Sequence, residues 1–86
     1  MSFNVSKMVC DNGAVTYMCK SSTNSNEIDQ FNQYGVMTHS YFRQGNTKNF
    51  SDGNWNFTLS DQGQLKNGFR GDHGHDWTCA GTIALG

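Results

Sequence analysis

At 86 residues the chain fits a single domain, 1–86, with a small core. Only 15% of residues are charged and the formal net charge is −1. Lys7, Lys20, Arg43, Lys48, Lys66 and Arg70 are scattered singly, so no basic stripe exists to neutralise phosphates and nucleic acid is excluded as a partner. No apolar run approaches the length of a bilayer span, so no membrane insertion is expected.

The start, MSFNVSKMVC, lacks the hydrophobic block and small-residue cleavage signal of a secretory leader. The chain is expected either to be made without a signal peptide or to be the mature part of a secreted protein. There is no proline, and glycine supplies the turns. KMVCDNGAVTYMC reads as a hairpin, with Asp11-Asn12-Gly13 as its turn. Val15, Tyr17 and Cys19 fall on one face of its second strand, Thr16 and Met18 on the other. Cys10 and Cys19 can then face each other if the loop adjusts the register. Three cysteines are an odd number, so one internal bridge leaves one thiol over; three buried thiols in a reduced chain are the alternative.

KSSTNSNEIDQ, residues 20–30, reads as a loop, or as a capped helical turn carrying Ile28 and Phe31. GVMTHSYFRQG reads as a strand with Val36, Thr38, Ser40 and Phe42 on one side and Met37, His39 and Tyr41 on the other. A turn at Asp52-Gly53 precedes a clean alternation, with Trp55, Phe57 and Leu59 against Asn54, Asn56 and Thr58. Asp61-Gln62-Gly63 is the next turn, followed by a short strand over 64–69. The last strand runs over 77–85 with Trp77, Cys79, Gly81, Ile83 and Leu85 in phase. The expected fold is all-β, a small antiparallel β-sandwich or barrel of five to six short strands. So small a core, an odd cysteine and the mixed faces of 37–42 point to a homo-oligomer.

GDHGHDWTC, residues 71–79, gathers two histidines, two aspartates and a cysteine. Zinc needs three or four ligands in tetrahedral reach, and the paired cysteines of a zinc ribbon are missing. The loop reads best as a polar turn, with Gly71 and Gly74 bending the chain and Asp72 and Asp76 bonding to backbone amides. No metal, no cofactor and no catalytic residue are expected. The leading catalytic alternative is a small hydrolase or ribonuclease-like toxin using His73 and His75. A structural or inhibitory module that binds a protein is the third reading.

Glycan binding fits the composition at least as well as a generic module does. It needs aromatic faces for the apolar faces of sugars and planar polar groups for their hydroxyls, and no net charge. Trp55 lies among Asp52, Asn54 and Asn56, and Trp77 among His75, Asp76 and Thr78. The candidate ligand-binding residues are therefore Trp55, Trp77, Asn54, Asn56, His75, Asp76 and Tyr41. The competing reading puts both tryptophans in the core.

VSKMVCDNGAVTYMC, Val5 to Cys19, resembles the opening of very small mushroom lectins that bind core-fucosylated glycans and form small β trimers. The matching residues are Lys7, Val9, Cys10, Asp11, Gly13, Thr16, Tyr17 and Cys19. The resemblance is confined to this stretch. It implies a Cys10–Cys19 bridge, with Cys79 left unpaired in the last strand, and a lectin role. The expected function is that of a non-catalytic carbohydrate-binding protein of defensive type.

Overall fold

The computed structural model describes residues 5–11, 13–71, 76, 77 and 79–83, with backbone alone at 67–71, 76 and 77. Among the described residues there are nine strands: β1 (Ser6–Cys10), β2 (Val15–Lys20), β3 (Glu27–Phe31), β4 (Met37–Arg43), β5 (Asn49–Ser51), β6 (Trp55–Leu59), β7 (Leu65–Gly71), β8 (Asp76–Trp77) and β9 (Cys79–Ala80). From β1 to β8 each strand pairs antiparallel with the next, and β9 returns to pair with β1. The segment from β8 to Ile83 lies between β7 and β1. Its links are the β7–β8 ladder, a bridge between Gln64 and Thr82, and the bonds from Leu65 N to Gly81 O (3.0 Å) and from Ile83 N to Gly63 O (2.8 Å). With β8 and β9 acting as one stave, the fold is an eight-stranded, nearly closed up-and-down barrel. Among the described residues no helix is long and apolar enough to cross a membrane.

Alternation decides what fills the interior. Phe57 and Leu59 of β6 are buried, and Trp55, in phase with them, packs against the core. Among the described residues, Met8, Cys10, Met18, Ile28, Tyr41, Phe50, Cys79 and Ile83 join them from the other staves. Phe50 and Phe57 stack at 5.4 Å, and Tyr41 meets Phe57 edge-on at 4.9 Å. Gly53 and Gly81 are both required by geometry. Gly53 (φ 96°) makes the β5–β6 turn, and the space a Cβ would take at Gly81 is filled by Met8.

The structure departs from the sequence expectation in four places. Residues 27–30 are not loop but most of β3, because Ile28 turns inward while Glu27 and Asp29 face out. Asn49–Ser51 adds a short strand, and with the divided last stave this takes the count past five or six. Met37 does not share a face with His39 and Tyr41. Phe31 pairs with Met37 but Gln30 pairs with His39, leaving Thr38 as an extra residue that reverses the phase.

The bridge is the fourth. Cys10 joins Cys79, 69 residues away, and Cys19 keeps its thiol. The hairpin register explains why a Cys10–Cys19 bridge does not form. Val9 pairs with Val15 beside the turn, whereas Ser6 pairs with Met18 at the far end. Cys10 and Cys19 therefore sit at opposite ends of the hairpin. The β1–β9 ladder puts Cys79 directly opposite Cys10. Burial, then the charge of Asp29, pushes the Cys19 thiol pKa upward.

Candidate functional site

The barrel opens at the end that holds the β3–β4 connection and the β5–β6 turn. There the inward positions of the staves surround a cavity of about 210 Å³, lined by Cys10, Thr16, Gln30, His39, Tyr41 and Trp55 among others. The position of each side chain follows from its strand. Thr16 is in phase with buried Met18, Gln30 with Ile28, His39 with Tyr41, and Trp55 with Phe57.

The polar groups form a connected set. The Tyr41 hydroxyl donates to Gln30 Oε1 at 2.6 Å, and Gln30 Nε2 donates to Thr16 Oγ1 at 2.7 Å. Thr16 in turn donates to the carbonyl of Phe31 at 3.2 Å. Burial, then the charge of Asp52, pushes the Tyr41 hydroxyl far above its ordinary range, so it stays a donor. An amide has two N–H donors and two lone pairs on its oxygen. These bonds hold Gln30 in place through one of each, leaving one donor and one acceptor at adjacent atoms.

The second element is a His–Asp pair. Asp52 Oδ1 accepts the backbone N–H groups of Asn54 (2.9 Å) and Trp55 (2.7 Å), which folds the turn around its carboxylate. Its Oδ2 lies 2.7 Å from His39 Nδ1. An N–H on Nδ1 donating to Asp52 fixes the ring and makes Nε2 its remaining acceptor. The imidazole also stacks on Tyr41, at 5.8 Å between centroids. The side chain of His39 is 39% exposed and that of Asp52 12%. Burial alone would raise the Asp52 pKa, but the two backbone donors and His39 outweigh it and hold the carboxyl below its ordinary value.

That shift carries a pH prediction. A carboxyl whose folded pKa is depressed stabilises the fold above its unfolded pKa, and this contribution is lost as pH falls through the folded value. Urea titrations between about pH 6 and pH 2 are expected to show Asp52→Asn less stable than wild type at the upper end. The gap should close as the pH falls below about 4. A gap of constant size across the range would show that the Asp52 charge contributes nothing.

Of the residues singled out from the sequence, Trp55 and Tyr41 meet at this mouth. Asn54 is exposed on the turn and contributes its backbone N–H to Asp52. Asn56 is exposed and out of phase with Trp55 and Phe57, so it lies on the outer wall. The backbone of Asp76 and Trp77 forms β8, but their side chains lie outside the described residues, as do His73 and His75 altogether. Among the described residues, no group of three His, Cys, Asp or Glu side chains converges on one point. Thr16, Gln30 and the pairing of His39 with Asp52 were not visible in the sequence as a site. The one usable signal was the phase of His39 with Tyr41. Compared with family models, with curated proteins and with solved structures, the chain matches none of them.

Proposed function

We propose that this protein binds carbohydrate at the barrel mouth, as a non-catalytic lectin of defensive type. The observation that carries the reading is the make-up of the mouth. Trp55 forms an aromatic wall beside a pinned Gln30 amide and the oriented His39 imidazole. A donor and an acceptor on one planar amide match two neighbouring sugar hydroxyls, and His39 Nε2 accepts from a third. The aromatic wall suits an apolar sugar face. Among the described residues, the anionic group beside the mouth is Asp52, which is already bonded to His39 and two backbone amides and so suits a neutral ligand. The cavity has room for a single small residue, such as the end of a glycan chain. The lectin resemblance of residues 5–19 points the same way in function, although the bridge it implied is replaced by Cys10–Cys79.

The test is a glycan array probed with wild type, Trp55→Ala and His39→Ala, each confirmed as folded by circular dichroism. Specific binding that drops about ten-fold or more in both variants is the expected result. Binding unaffected by either substitution would move the site elsewhere. No glycan binding, together with RNA cleavage abolished in His39→Ala, would replace the lectin by a hydrolase acting through His39 and not through His73 and His75.

A further inference from the structure

The outer wall carries a larger depression, of about 650 Å³, which shares no residue with the mouth. Its floor is the outward phase of β2, β3 and β4, and the strand registers order it into rows. Tyr17, Phe31 and Met37 lie side by side across the three strands, giving an apolar row. The next row is Cys19, Asp29 and Ser40, and Glu27 follows along β3. Lys20, in the opposite phase of β2 with Met18, also lines the depression.

Asp29 is the anomaly. It is only 7% exposed, and its Oδ1 is buried without a hydrogen-bond partner. A buried carboxylate oxygen lacking a donor is costly, and such an atom in a native fold needs a reason. Its neighbour Glu27 makes the demand for positive charge plainer. A hydrogen bond from the Glu27 carboxyl to Asp29, then burial, then the Asp29 charge raise the Glu27 pKa.

We propose that this depression binds a small arylalkylamine, its ammonium held by Asp29 and Glu27 and its ring laid on Tyr17, Phe31 and Met37. The spacing sets the class of ligand. Rows two residues apart along a strand are roughly 7 Å apart, the reach of a ring joined to an amine through a short alkyl chain. The ammonium sets a positive charge beside the buried Asp29 carboxylate and removes the repulsion between it and Glu27. Tyr17 and Phe31 add aromatic faces that attract a cation as well as an apolar ring. The volume is that of a pocket for a small organic molecule.

Calorimetric titration of the full chain with 2-phenylethylamine and with its uncharged counterpart 2-phenylethanol decides the matter. The amine is expected to bind about ten-fold or more tightly than the alcohol. Asp29→Asn should abolish that preference. Glu27→Gln, at a less buried position that tolerates substitution, should weaken amine binding several-fold. Trp55→Ala should leave it unchanged, so this site and the mouth succeed or fail separately. Equal binding of amine and alcohol, a preference that survives both carboxylate substitutions, or no binding of the amine to wild type would overturn the proposal.

Discussion

Replacing both Cys10 and Cys79 by alanine is expected to lower the unfolding free energy by roughly 4 kcal/mol, by the chain-entropy relation for a loop of this length. The bridge spans 69 residues of an 86-residue chain. It therefore restricts nearly the whole unfolded ensemble. A domain of this size has a total stability of about 4–13 kcal/mol at ordinary values per residue. The loss is a third of that total at best and nearly all of it at worst. Urea unfolding of the double variant, beside wild type with and without reductant, reads the effect. Cys19→Ala serves as the comparison, since that thiol is unbridged and only partly buried, and should shift stability far less. A double variant within 1 kcal/mol of wild type would show that the β1–β9 closure holds without the bridge.

Phe57→Ala is expected to cost about 3–5 kcal/mol. Phe57 is 1% exposed and lies where two aromatic contacts of the interior meet, stacked on Phe50 and edge-on to Tyr41. Truncation leaves a cavity between staves that cannot collapse without bending the barrel. The effect extends to the mouth, because Tyr41 holds Gln30, and Gln30 holds Thr16. Loss of near-ultraviolet circular dichroism should accompany the fall in the urea midpoint. Asn56→Ala, one residue away on the outer wall, should stay within about 0.5 kcal/mol of wild type. Equal effects at 56 and 57 would contradict the inward phase assigned to Trp55, Phe57 and Leu59.

That phase was readable in the sequence because β6 alternates cleanly, and the same holds for Thr16 and Met18 against Val15, Tyr17 and Cys19. The turns at Gly13, Gly53 and Gly63, where glycine supplies a positive φ, were readable too. β3 was not, because its inward positions are Ile28 and a polar Gln30, while Asp29 is buried on the outward phase. A strand that buries an amide and a carboxylate gives no hydrophobic alternation. Met37 was placed on the wrong face because one extra residue in a ladder reverses every side chain beyond it. The Cys10–Cys79 pairing depends on barrel closure, which no local pattern encodes. Two members of the candidate site were legible, Trp55 and Tyr41. The rest, Gln30 and Thr16 with the His39–Asp52 pair, arises only when three separate staves and a turn meet at one rim.

The connectivity of the barrel has a kinetic consequence. Every ladder from β1 to β8 joins neighbours in the chain, so those contacts form by closing short loops. The β1–β9 ladder alone must bring together segments separated by nearly the full chain. Loop entropy grows only with the logarithm of length, and going from a hairpin turn to this separation adds about 2 kcal/mol. A barrier higher by that amount slows a step a few tens-fold. In the reduced chain the last seam therefore closes well after the hairpins. In the oxidised chain Cys10 and Cys79 remain tethered when the protein unfolds, so the slowest encounter becomes one of the shortest.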